Sequence, residues 1–210
     1  MLEVHPPHES VRTWKDFLIH IATITIGLLI ALGLEATVEM FHHRNIVAEA
    51  RQNIRTEITK NQTQLAVDLK SVREDEQRML ADMDALRLLR KDPNAKASVS
   101  LAWSWSGMSE SAWLTARDTG ALTHMPYEDV QGYADLYFQQ QLVNDAATAL
   151  IRNQTQAEIP LIIEKPPAVF TPAQIDEALH RCAEIYVQLQ TLESLIASLD
   201  HNYAEALRTV

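Results

Sequence analysis

The stretch FLIHIATITIGLLIALGL, from Phe17 to Leu34, runs 18 residues without a formal charge and constrains this chain more than any other feature. At about 1.5 Å of rise per residue, a helix of that length reaches roughly 27 Å, close to the hydrocarbon thickness of a bilayer. Only His20, Thr23 and Thr25 interrupt the run with polar groups, so it lacks the polar face of a soluble core helix. A secretory signal would have an apolar core of about 7–15 residues with small residues before the cut, whereas Leu34 occupies the −3 position relative to Ala36. The run is read as a transmembrane helix over residues 17–38, after a short tail at 1–16.

The flanks fit a span. Trp14 and Lys15 at one edge and Phe41 at the other are the membrane-interface anchors, rings at headgroup level and an ammonium that can snorkel. Arg12 and Lys15 lie close to the first edge. Beyond the second, Arg44 sits among Glu35, Glu39 and Glu49. The positive-inside rule therefore places the N-terminus in the cytoplasm and the bulk of the chain in the periplasm. Within the span, Thr23, Gly27 and Ala31 recur every four residues and form a candidate helix-pairing face. His20 and Glu35 share that face one turn to either side, where snorkelling accounts for them.

After Glu39 no Gly or Pro appears until Pro93, and the intervening residues are rich in Ala, Glu, Arg, Gln and Leu. This predicts one helix running on from the membrane to about residue 91. Its apolar face is Ile54, Ile58, Leu65, Leu69, Val72, Met79, Met83 and Leu86, with Asn61 and Glu76 on it where apolar residues are expected. A buried Asn can set helix register, and a solvated stripe on a protruding stalk explains both residues equally well. Such a stalk would leave apolar side chains wet, so the helix is expected to associate with a second copy.

Asp92-Pro93-Asn94 ends that helix and opens a Trp-rich connection over 92–108, locally extended but without a second strand to pair with. A short helix is expected at 109–118 with Gly120 as its stop, and a third at 126–158, between Pro126 and Pro160. The apolar positions of the third, among them Tyr133, Tyr137, Phe138, Leu142, Val143 and Ile151, cover more than one face and predict a central helix buried between two neighbours. Thr171-Pro172-Ala173-Gln174 is a capping box that starts a last helix over 172–208. That helix carries Ile175, Leu179, Cys182, Tyr186, Leu189, Leu192, Ile196, Leu199, Tyr203 and Leu207 on one stripe, over five heptads as in a coiled coil. The fold expected is all-α, an N-terminal transmembrane helix continuing into a long helix that packs in an antiparallel three- to four-helix bundle over 39–210.

Composition excludes some functions. There are 28 acidic against 18 basic residues, a net charge of −10, with no basic stripe to neutralise phosphates, so nucleic acid is not an expected partner. The one cysteine, Cys182, rules out an internal disulfide or a CxxC motif, and its place on the apolar stripe makes it a packed thiol rather than a nucleophile. Glu39 with His42 and Glu177 with His180 have the spacing of di-iron carboxylate ligands, but two such pairs are weak evidence, the site also needs further inward-facing Glu residues, and His180 lies beside the Leu179 and Cys182 stripe rather than on it. No metal, cofactor or catalytic residue is assigned, and no Gly-rich phosphate loop, GxSxG elbow or HExxH is present. Trp103, Trp105 and Trp113, with His124, are the candidate pocket, and the same aromatics are also what a bundle tip would use as core.

The N-terminal pattern Trp14-Lys15-Asp16-Phe17, TITIGLLIALGLEATVE and HHR, together with SAWLTARDTGALTHMPYEDV and YADLYFQQQ, resembles a group of bacterial single-span inner-membrane proteins of unknown function. The resemblance covers most of the chain and implies a bacterial inner membrane, with no activity to carry over to any residue. Two functions stay open. One is a membrane-tethered, non-enzymatic interaction or scaffold module that binds itself, through span and stalk, or an envelope protein. The other is a ligand-binding sensory module around the tryptophans, whose 16 residues before the span would leave it dependent on a separate output partner.

Overall fold

The computed structural model describes residues 13–96, 98–100, 105–163 and 170–209. Among these residues four α-helices and one 3-10 turn follow in order: α1 Trp14–Lys91, α2 Ser111–Asp118, the turn Ala121–His124, α3 Tyr127–Ile163 and α4 Pro172–Thr209. No strand occurs among the described residues, and the fold is all-α. The chain divides into two compact units at Ala48 and Glu49, and α1 contributes to both.

In the first unit α1 begins three residues before the charge-free run. Thr13 caps it: its Oγ1 accepts the Asp16 amide at 3.4 Å and donates to the Asp16 carboxylate. The Trp14 and Phe17 rings stack at 5.4 Å between centroids. Every residue from Phe17 to Leu34 is exposed. The hydroxyls of Thr23, Thr25 and Thr37 each fold back onto the carbonyl four residues earlier, at 2.7–2.9 Å, so none needs an outside partner.

In the second unit α1, α3 and α4 pack around one core. Arg51 pairs with Asp129, Glu57 with Tyr137 and Asn61 with Gln140, so α1 and α3 run parallel. Gln62 meets Asp200, Arg73 meets Glu193 and Arg90 meets Asp176, so α4 runs antiparallel to α1. Asn153 with Gln188 and Asn202 with Gln139 set α4 antiparallel to α3 as well. Buried residues recur every seven positions on each helix: Ile58, Leu65, Val72, Met79 and Leu86 on α1, Leu136, Val143 and Leu150 on α3, Leu189, Ile196 and Tyr203 on α4. The apolar stripe of α1 is thus covered inside one chain by α3 and α4. The wet stalk that would have called for a second copy does not exist along this part of the helix.

Three expectations change in detail. The helix expected to stop before Pro160 continues through it to Ile163. A proline inside a helix removes one i→i−4 hydrogen bond, and here only three helical residues follow it. The third helix is not buried on several sides, because Phe138, Leu142 and Ile151 are 66%, 43% and 38% exposed while Tyr133, Tyr137 and Val143 are buried. With two long neighbours and no further long helix among the described residues, α3 leaves one side uncovered. On α4, Ile185 takes the buried place expected of Tyr186, one position round the helix. The capping box forms as read, the Thr171 amide donating to Gln174 Oε1 at 2.8 Å and the Gln174 amide reaching Thr171 Oγ1 at 3.4 Å.

Candidate functional site

Parallel α1 and α3 must be joined by a segment that returns along the bundle, and the described residues between 92 and 110 carry neither helix nor strand. An extended backbone laid on a helix has amides that neither element satisfies, so acceptors must come from side chains. They come from α1 and α3. Gly107 adopts φ +72°, a left-handed turn open to glycine, and a Cβ there would meet the Trp105 indole nitrogen at 3.5 Å. Beside it, Asn144 of α3 accepts the Met108 amide at 3.4 Å, and the Met108 side chain reaches the Tyr203 hydroxyl of α4 at 3.3 Å.

At Ser109 the polar groups converge into one buried layer. Asn61 Oδ1 accepts the Ser109 amide at 3.0 Å, and Asn61 Nδ2 donates to the Ser109 carbonyl at 2.7 Å and to Gln140 Oε1 at 3.0 Å. Gln140 Nε2 donates to the same carbonyl at 3.0 Å, and Tyr203 donates to Gln140 Oε1 at 2.5 Å. Asn61, Gln140 and Tyr203, one residue from each long helix, are 4%, 1% and 0% exposed. Asn61 is therefore a buried, fully partnered residue on the α1 face, which settles its role against the solvated stripe.

One turn earlier on α1, Glu57 Oε2 accepts the Ser109 and Ser111 hydroxyls at 2.8 and 2.9 Å and the Ala112 amide at 2.9 Å, while Oε1 accepts the Tyr137 hydroxyl at 2.7 Å. Burial by itself would raise the Glu57 pKa, but the Ala112 amide and the Tyr137, Ser109 and Ser111 hydroxyls outweigh it and hold the carboxyl below its ordinary value. Glu57 stays ionised at the start of α2, where Glu110 makes no side-chain cap of its own. The Tyr137 and Tyr203 hydroxyls are pushed well up by burial, with the Glu57 charge adding to it, so neither serves as a base near neutrality. Chemically the arrangement fastens the connection and the start of α2 to the bundle.

Among the described residues, those singled out in the sequence do not gather. Trp103 lies outside the described residues. Trp105 covers Gly107, His124 is exposed at the end of its 3-10 turn, and Trp113 stacks on Tyr137 with centroids 5.5 Å apart and planes 13° off parallel. Tyr133 completes that cluster at 6.4 Å, so the half-buried Trp113 packs against two buried tyrosines. An open groove of about 690 Å³ lies elsewhere, between α3 and α4, lined by Asn153, His180, Arg181, Glu184 and Gln188. His180 pairs with Glu184 at 3.2 Å and Glu177 with Arg181 at 2.9 Å, so the Glu177 and His180 pair has other engagements. Among the described residues no three His, Cys, Asp or Glu side chains stand close enough to hold a metal. Cys182 is buried, and burial pushes its thiol up to about 11, with the Asp82 charge adding to it.

Sequence reading missed Glu57, Gln140 and the acidic column Asp68, Asp75 and Asp82, which are 3–4% exposed for the three aspartates. The signal was there as a strict seven-residue repeat from Asn61, but acidic residues on a helix are ordinarily read as its wet side. No protein-family model matches the chain, and neither a curated protein nor a solved structure matches it.

Proposed function

We propose that this is a single-pass protein of a bacterial inner membrane, of the group its sequence resembles, whose helical bundle acts in the periplasm as a non-enzymatic interaction or scaffold module. The anchor rests on the helix over Trp14–Lys91, whose most apolar window has a mean hydropathy of 2.4 and is 0% buried within the chain. An apolar cylinder exposed all round needs a cover from outside, and lipid supplies it. The interaction role rests on one observation: Tyr127, Phe138 and Leu142, 78%, 66% and 43% exposed, lie along one side of α3 while the polar groups around Ser109 are spent on internal hydrogen bonds. Exposed aromatic anchors on a rigid helix are what a protein partner grips.

Self-association through the span belongs to the same reading. A Cβ placed at Gly27 would meet no other part of the chain within 4 Å, and Thr23 and Ala31 beside it are exposed, which leaves this face open to a second helix. A C-terminal alkaline phosphatase fusion is expected to be active, and an inactive one defeats the periplasmic placement. Crosslinking in native membranes followed by purification is expected to recover a protein partner or a second copy. Recovery of a stoichiometric small molecule instead would favour the sensory reading.

A further inference from the structure

Tyr127, Ala134, Phe138, Leu142 and Ala149 recur on α3 at steps of four and seven residues, so they share one stripe along the helix. All are exposed except the half-buried Ala134. Carboxylates edge the stripe. Asp145 stands on it between Leu142 and Ala149, and Glu128 and Asp135 lie within about 80° of Phe138 round the helix, at about 100° per residue. The fourth acid on this length of α3, Asp129, is taken up by Arg51. Among the described residues none of the other three is ion-paired, and from Tyr127 to Ile151 the helix carries no Lys, Arg or His. Gln131 donates to Asp135 at 3.0 Å and Gln141 to Asp145 at 2.9 Å, amides that orient the carboxylates without neutralising them.

The stripe is apolar along its middle and negative at its edge, so whatever covers it must bring apolar side chains and positive charge together. A second copy fails on charge. Parallel pairing on this stripe sets Asp135 against Asp135 and Asp145 against Asp145, and an antiparallel pairing that puts Phe138 against Leu142 also puts Asp135 against Asp145. The favourable contact of that antiparallel pair, Glu128 with Arg152, lies about 18 Å from the two-fold axis, while the like charges lie about 7.5 Å from it, where water is most excluded. An anionic lipid surface is repelled by the same carboxylates.

We propose that this stripe of α3 is the docking surface for a basic amphipathic helix of a partner protein, its apolar residues laid on Phe138 and Leu142 and its Lys or Arg side chains on Glu128, Asp135 and Asp145. The inference rests on the interaction role proposed above and adds the chemistry of the partner. A helix is the matching shape because its apolar positions recur with the period of the stripe itself. Tyr127 and Phe138 are the anchors that lose water on docking. The carboxylates speed the encounter and fix the register, an effect that salt screens. Asp145, in line with Leu142 and Ala149, turns away an acidic or uncharged helix by leaving its charge desolvated and unpaired.

The full chain in nonionic detergent, with empty micelles as blank, tests this against two labelled helical peptides of one pattern, about 18 residues long, one of Leu with Lys and one of Leu with Glu. The Lys peptide is expected to bind and the Glu peptide not. Its binding is expected to weaken about tenfold in Asp135→Asn with Asp145→Asn, at least as much in Phe138→Ser, and steadily as salt rises. Glu74→Gln with Asp84→Asn removes the same charge from the exposed side of α1 and is expected to change binding by less than about twofold. All these positions are exposed, and thermal unfolding checks that the variants fold as the wild type does. Binding that the Asp135 and Asp145 pair leaves unchanged overturns the proposal, as does an equal loss in the α1 pair. With Phe138 replaced by photoreactive benzoyl-phenylalanine, irradiation of native membranes is expected to join this position to a Lys- or Arg-rich segment of another protein, and joining to a second copy or to lipid alone overturns it. If position 138 joins nothing while a general crosslinker still recovers a protein, the docking surface falls and the interaction role stands; if neither recovers one, both fall.

Discussion

The Glu57 carboxylate accepts the Ala112 amide at 2.9 Å across 55 positions of sequence, so a residue of α1 caps a helix it does not belong to. The same oxygen takes two serine hydroxyls, and its neighbour takes the hydroxyl of Tyr137. Truncating Glu57, itself 7% exposed, to Ala leaves the Tyr137 hydroxyl and the Ala112 amide without their acceptor, while the hydroxyls of the exposed Ser109 and Ser111 can turn to water. At about 1–3 kcal/mol for each donor that finds no water, Glu57→Ala is expected to cost about 3 kcal/mol or more, and Glu57→Gln visibly less. Urea unfolding of the two variants beside the wild type checks the order. Equal midpoints would mean the carboxylate is idle.

Why the helices were readable and the site was not follows from the residues. Thr171, Pro172 and Gln174 act on one another within four positions, so local chemistry alone fixes where α4 starts. The α4 stripe from Ile175 to Tyr203 could be read because apolar burial repeats along one helix. Glu57 and Asp82 have no local signature. Their partners are Ala112 and Ser100, distant in sequence, and only the return of these backbone amides onto α1 makes acids the right residues for its buried face.

The layer of Asn61, Gln140 and Tyr203 makes a graded prediction. Tyr203→Phe removes one donor and leaves Gln140 Oε1 still bonded to Asn61, at a cost of about 1 kcal/mol. Gln140→Ala removes the acceptor that Asn61 and Tyr203 share, leaves Tyr203 only the Met108 sulfur and opens a void, at a cost of about 3 kcal/mol, while Asn61 keeps its bonds to Ser109. A double variant costing no more than Gln140→Ala alone is the expected result of a mutant cycle.

Asp75, buried on α1 beside Arg78, tests the sign of the pH dependence. Burial raises its pKa above the ordinary 3.8, the Arg78 guanidinium at 2.6 Å opposing only in part. Between the two values the folded chain keeps a proton that the unfolded chain has released, so the stability gained is complete below about pH 3.8 and is lost as pH rises through the folded value. Asp75→Asn is therefore expected to be more stable than wild type near neutrality and to flatten that part of the pH profile. Denaturation midpoints between about pH 4 and pH 8 decide it, and a variant weaker at every pH would refute the sign.

Cys182 is expected to be inert. It is 4% exposed, and its thiol is pushed up to about 11 by burial, so the thiolate is scarce at neutral pH. Iodoacetamide is expected to leave the native chain unlabelled over hours and to label it fully once unfolded in guanidinium. Rapid native labelling would mean that α4 opens locally.

The exposed side of α3 distinguishes packing from partner binding, because two of its apolar residues only five positions apart have opposite environments. Phe138 is 66% exposed and Val143 is 1% exposed. If burial alone set their value, Val143→Ala would remove buried methyl groups and cost about 1–2 kcal/mol, while Phe138→Ser would move stability by no more than about 0.5 kcal/mol. An exposed phenylalanine in line with Tyr127 and Leu142 nonetheless has a reason to be there if a partner covers it. Phe138→Ser is thus expected to leave the melting profile unchanged and to abolish the crosslinked species recovered from native membranes, whereas Val143→Ala lowers the melting temperature and leaves crosslinking intact at low temperature. Crosslinking that survives Phe138→Ser would move the interaction surface off α3.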